Sequence, residues 1–282
     1  MISFSNWAVA MSYCFRCSRV STPLLLGCLG VLLAGGCDDA QPKQSTTTTV
    51  ITTESGKNSS KITINGIQQP MTKGSGNVTT EERDVSDFRS IDVAGSASVS
   101  IVPGDFSCTI TTDDNIHEHI TTEVANDTLV VATKGSYSSN GVNLKISMPE
   151  LNAVSTSGSG GIHFEEFDSK TVTATSAGSA SIGFKGCQFG KLVAGVTGSG
   201  SVKGSGTATL LVVNVTGSGS AMLGEVSAVD VQAKATGSGY ITVSPTNTLK
   251  ADSFGSGSIS YKKQPNLKIE KSVLGSGAVT PR

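Results

Sequence analysis

Aromatic residues make up only 5% of this 282-residue chain, and the single tryptophan is Trp7. That scarcity argues against a large aromatic binding groove. Charge is sparse and balanced, with 15% charged residues, Lys+Arg 21 against Asp+Glu 22, and a net charge of −1. Such a balance excludes the basic field of a dedicated nucleic-acid binder and lacks the charge excess of a disordered chain. No apolar run reaches the roughly 20 residues a membrane-spanning helix needs, and no helical stripe of apolar residues appears after residue 61. Glycine, at 33 residues, is the abundant type, without the strict three-residue period of collagen. Hydrophobic residues, 37% of the total, suffice for a core in one or two domains.

Residues 1–36 carry Arg16 and Arg19, no acidic residue, and an apolar run from Leu24 to Leu33, the layout of a secretory signal peptide. The run ends in Leu32-Leu33-Ala34-Gly35-Gly36-Cys37. That ending resembles the lipobox of bacterial lipoproteins, with Ala34 where the motif usually has leucine, and it implies a lipid on Cys37. Cleavage to an unlipidated secreted protein is the alternative reading, and Met11 is an alternative start. Loss of residues 1–36 with their two arginines takes the net charge from −1 to −3, so anchoring to the membrane would rest on acyl chains and not on attraction to anionic lipid. By the same resemblance, Asp38 and Asp39 point toward inner-membrane retention, while the expected location is the periplasmic side of either the inner or the outer membrane. Residues 37–61, rich in Ser, Thr, Lys and Gln, read as a lipidated cysteine followed by a flexible tether.

Cys14, Cys17, Cys28 and Cys37 belong to the leader or its end, leaving Cys108 and Cys187 for the folded part. The exported compartment permits a bridge between them; two buried, inert thiols are the other reading.

Residues 62–282 are dominated by a repeat. Gly-Ser-Gly or a close variant begins at Gly158, Gly178, Gly198, Gly217, Gly237, Gly255 and Gly275, at spacings of 20, 20, 19, 20, 18 and 20 residues. The second glycines are Gly160, Gly200, Gly219, Gly239, Gly257 and Gly277, with Ala180 in the remaining place. Between the marks apolar residues alternate, as in Val172 and Ala174, Ile182 and Phe184, Val213 and Val215, Val231 with Ala233 and Ala235, Ile241 and Val243, and Ile259 and Tyr261. A coil of about 20 residues at about 3.3 Å each can circle a narrow prism and return to its start, where the next coil pairs with it in parallel. The fold class is therefore all-β, a single-stranded parallel, right-handed β-helix or solenoid with about 20 residues per coil. The glycines are its corners, where positive φ and close backbone approach exclude a Cβ, and the serine between them is placed to form a hydroxyl ladder. Phosphate cradling would need a helix after the turn, and none follows.

Residues 62–150 also read as strands but less regularly, with Gly95-Ser96-Ala97 as an early coil and an insertion behind it; residues 151–282 are the regular coils. Lys262, Lys263, Pro265, Lys268, Lys271 and Pro281 place charge and proline on the last coils, where an exposed edge must be kept from pairing.

Three ordered stretches, Asp87-Phe88-Arg89-Ser90-Ile91-Asp92-Val93-Ala94-Gly95-Ser96, Val99 to Asp105, and Met148-Pro149-Glu150-Leu151 leading into Ser157-Gly158-Ser159-Gly160, resemble the putative auto-transporter adhesin, head GIN domain family over residues 75–282. The resemblance implies a parallel β-helix on an exported bacterial lipoprotein, with no established activity and adhesion by analogy.

No catalytic, cofactor or metal site is expected. The acids Asp113, Asp114, Glu165, Glu166, Asp168, Glu225, Asp230 and Asp252 are scattered, and neither a nucleophile elbow nor a Walker loop occurs. His117-Glu118-His119 reads as a polar exposed turn, a metal site being the weaker alternative. Lys250 and Glu270 share one offset from their glycine marks and are expected to pair across adjacent coils. Phe164, Phe184 and Phe254 are expected in core stacks. The functional expectation is a lipid-anchored, non-catalytic cell-envelope module that binds a protein or glycan partner or serves structurally; a polysaccharide-processing enzyme and an end-to-end assembling scaffold are the alternatives.

Overall fold

The structure, a computed structural model, describes residues 51–55, 59–64 and 67–282. The leader and Cys37 lie outside the described residues.

Why each coil closes on itself is visible in the burial pattern of the strand Ser181–Gly198. Ile182 and Phe184 are buried, then Cys187 and Phe189, then Leu192, Ala194 and Val196. The two-residue alternation breaks twice, at the outward pairs Lys185-Gly186 and Gly190-Lys191. Each break turns the chain so that the next apolar run again faces inward, which gives a three-sided coil around one core. Ser201–Gly217 and Ser220–Gly237 repeat the pattern, while Tyr240–Gly255 is shortened, with residues 241–245 buried in one run, and each strand pairs in parallel with the next.

The corner glycines fall in a single column. Gly95 is opposite Gly158, and the register continues through Gly178, Gly198, Gly217, Gly237, Gly255 and Gly275. All eight have φ between +86° and +124°. The Gly198 carbonyl accepts hydrogen bonds from the amides of Ser218 and Gly219, at 2.9 and 2.8 Å. Main-chain amides, more than a ladder of hydroxyls, thus tie one corner to the next. The serines at these corners are exposed.

The N-terminal part departs from coil geometry. Ser90–Gly95 and Ser98–Pro103 form two sides of a first coil, but the insertion behind them is largely antiparallel. Ser107–Asp113 pairs antiparallel with both Val78–Glu82 and Asn143–Met148. Ile120–Ala125 and Thr128–Thr133 form a hairpin whose second strand lies parallel on Ser90–Val93. Its turn residues Asn126 and Asp127 have φ of 50° and 58°, the left-handed pair that suits a two-residue hairpin. Beneath this cap Phe88, Ile110, Ile116, Met148 and Leu151 have no exposed surface.

Pairing also starts earlier than the sequence indicates. Ile51–Ser55 pairs antiparallel with Ser59–Ile64, and that strand with Ile67–Lys73, so strands occupy part of the segment read as a flexible tether to residue 61. At the other end, Lys268–Gly275 pairs with Thr248–Gly255 alone among the described residues, and its Ile269, Val273 and Leu274 are 41%, 43% and 69% exposed.

Candidate ligand groove

The side of the prism that follows each corner carries an indented surface. In five successive coils its central outward position is occupied by His163, Gly183, Lys203, Met222 and Thr242. Gly183 leaves a gap between two long side chains, and the His163 ring leans over it: a Cβ on Gly183 would lie 2.9 Å from His163 Nδ1. One residue further on, the inward position holds Phe164, Phe184 and Gly204. A Cβ on Gly204 would run into the Phe184 ring, so this glycine supplies the space into which the ring tilts. Phe184 stacks on Phe164, with centroids 5.4 Å apart and planes at 19°, and meets Phe189 edge-on at 5.6 Å. The floor is thus backed by interlocked aromatic rings, each such pair contributing about 0.5–1.5 kcal/mol beyond its buried area.

A cavity of about 420 Å³ results, bounded by His163, Gly183, Phe184, Lys185, Lys203 and Glu225. A second, of about 270 Å³, shares Lys203, Gly204 and Glu225 and extends to Met222, Tyr240 and Arg282. Met222 and Tyr240 are 41% and 42% exposed. From the His163 coil to the Tyr240 coil is four ladder steps, about 19 Å. Among the described residues none of Lys185, Lys203 and Arg282 takes part in an ion pair.

The long side of the prism, residues 191–198 and their equivalents in the other coils, differs. It has a cavity of about 320 Å³ around Lys250 and Glu270, and there these two charges satisfy each other. Lys250 Nζ donates to Glu270 Oε1 at 3.0 Å from directly opposite in the next coil. That hydrogen bond, with the carboxylate's charge, raises the Lys250 pKa.

Other singled-out residues separate. Phe164 and Phe184 are buried, but Phe254 faces outward, half-buried, with Lys234 Nζ 5.4 Å from its ring centroid. Its register position, opposite Thr236, is an outward one. His117 and His119 lie in a 3-10 turn, and His117 is buried, not exposed: its Nε2 is 3.0 Å from Thr79 Oγ1 and its Nδ1 3.2 Å from Glu81 Oε2. His163 is remote from both in the fold, on the groove. Among the described residues no three His, Cys, Asp or Glu side chains converge as metal ligands. Cys108 and Cys187 are free and buried, without a bridge. Burial pushes the Cys108 thiol up to about 11 against the opposing pull of Arg83, and burial raises Cys187 likewise. Both are poor nucleophiles at neutral pH.

Stacked parallel coils around one core, with an indented and basic flank, define a β-solenoid scaffold that presents side chains along its length. Residues 87–265 match the family described as "Putative auto-transporter adhesin, head GIN domain", and the chain belongs to that family. The matched span lies within the residues 75–282 over which the sequence resembles it. Three solved structures are similar. A putative adhesin from Bacteroides fragilis NCTC 9343 is 26% identical with a TM-score of 0.71, over 74% of this chain and 99% of that one. A putative lipid binding protein from Parabacteroides distasonis ATCC 8503 is 26% identical with a TM-score of 0.62, over 75% and 99%. A putative adhesin from the same strain is 24% identical, again at 0.62, over 74% and 99%, and shows the shared fold. No curated protein matches the chain.

Proposed function

We infer that the chain is an envelope lipoprotein whose solenoid is an adhesin-like, non-catalytic binding module for a protein or glycan partner. The observation that carries this reading is the groove: an indented flank with three cations that take part in no ion pair among the described residues, and an aromatic-backed floor, held on a repeat scaffold. Membership of an adhesin-type family supports a place outside the cytoplasm or in the envelope. The lipobox-like ending at Cys37 supports a lipid anchor, with the polar residues after it setting the solenoid off from the membrane. The non-catalytic reading rests on the dispersal of the acids. Glu165 and Glu225 sit on one side, three coils apart, while Asp230 and Asp252 lie on another side, and Asp230 is held by Asn247 and Thr248.

Attachment of cells that carry the chain to an envelope-coated or glycan-coated surface should fall several-fold when the chain is deleted and return on complementation. Equal attachment by the deletion strain would overturn the reading, as would polysaccharide turnover that a single carboxylate substitution abolishes. Labelled palmitate should enter the wild type and not Cys37→Ser; equal labelling of both would remove the lipid anchor.

A further inference from the structure

We propose that the groove running from His163 to Tyr240 binds an acidic polysaccharide, a sugar chain bearing carboxylate or sulfate groups, with Lys185 and Lys203 as its principal anion contacts. This rests on the binding-module reading above and adds the ligand's chemical class. Charge is the first argument. Lys185, Lys203 and Arg282 line the two joined cavities with Glu225, and Glu165 stands opposite Lys185 in the preceding coil, so cations outnumber carboxylates by three to two among these residues, on a chain whose net charge is −1. Because none of the three is ion-paired among the described residues, their donors are available to a ligand.

Shape is the second. The cavities meet at Lys203 and Gly204 and follow the solenoid axis across successive coils, which suits an extended polymer better than a compact ion. Half-exposed Tyr240 and Met222 offer apolar surface along the way, on which the C–H face of a sugar ring can pack while its charged substituents reach the lysines.

The third argument concerns the backbone. On this side, strands Ser181–Gly198, Ser201–Gly217 and Ser220–Gly237 each pair with a neighbour on both edges. An extended peptide therefore finds no edge to which it could add a strand. Recognition has to run through side chains on a pleated surface, as with a sugar polymer.

The test titrates the full chain in detergent with polygalacturonate, with dextran as a neutral polymer and glycerol 3-phosphate as a free lipid headgroup. Polygalacturonate should bind, weakening as salt is raised, and the Lys185→Ala/Lys203→Ala double variant should lose about tenfold in affinity. Gly183→Leu, which fills the cavity without changing charge, should lose affinity too, whereas Lys191→Ala on the long side should not. Unchanged thermal transitions certify that the variants are folded, and a Lys185→Arg/Lys203→Arg pair should retain binding. The proposal is overturned if polygalacturonate does not bind, if the double variant binds like the wild type, or if dextran or glycerol 3-phosphate binds as tightly. A chain that still mediates cell attachment but ignores polygalacturonate overturns the ligand class and leaves the binding-module reading standing.

Discussion

Cys108 has no exposed surface, and its thiol is held in the protonated form up to about pH 11 by burial, with Arg83 pulling the other way. The folded value lies above the ordinary thiol value of 9.0. The stability that comes with the neutral thiol is therefore complete below pH 9 and is lost as the pH climbs toward 11, because the unfolded chain releases its proton first. Urea unfolding between pH 8 and pH 11 should show a loss of about 2 kcal/mol from this group. Cys108→Ala should be less stable at pH 8, through lost packing, but should decline less steeply with alkali. Parallel pH slopes in the two proteins would show that Cys108 is not responsible.

At the level of the coil, the corner is the most demanding position. At Gly217 φ is +106°, and a Cβ there would lie 2.7 Å from the Gly198 carbonyl oxygen, which already accepts two amides. Gly217→Ala combines an unfavourable φ with a backbone clash and should cost about 3 kcal/mol, read as a lower urea midpoint with an unchanged slope; a midpoint equal to wild type would mean the column can relax. These corners were legible in the sequence because each coil needs the same two properties at the same place, and glycine alone supplies both. The inward rows were legible for the same reason, and so was Lys250 opposite Glu270, a consequence of equal offsets. The bends between corners were not: one falls at Gly186, with φ +67°, but its counterpart a coil earlier is Glu166, with φ +62°, a residue type that gives no turn signal. Nor was the groove. Gly183 and Gly204 stand at the same offsets as His163 and Phe184, but how Lys185, Lys203 and Glu225 come together depends on a pairing that shifts between Phe184 and Cys187 and again between Lys203 and Ser205. His117 stayed hidden because its partners Thr79 and Glu81 come from an antiparallel strand whose register no repeat fixes.

Taken whole, the molecule has unlike ends. The insertion closes the N-terminal end over Phe88 and Met148, while the last coil leaves Ile269, Val273 and Leu274 uncovered. Lys271 stands in the register place of buried Ala251, and Pro281 opposite Tyr261. A second molecule stacking on this end would bury the Lys271 ammonium without a partner, a penalty of several kcal/mol. The wild type should sediment as a monomer at high concentration, and Lys271→Val should show concentration-dependent association. A monomeric variant would place the block elsewhere, with Pro281 as the next residue to change.

The column of glycines also sets a phase. Since every turn of the winding returns to the same angular position, an extra turn of twenty residues spliced between Gly198 and Gly217 would leave both termini of the shaft unaltered and advance everything beyond it by one rung, about 4.8 Å. Reach can thus be adjusted in whole steps, like notches on a ratchet, independently of how the shaft is moored or how its far tip is finished.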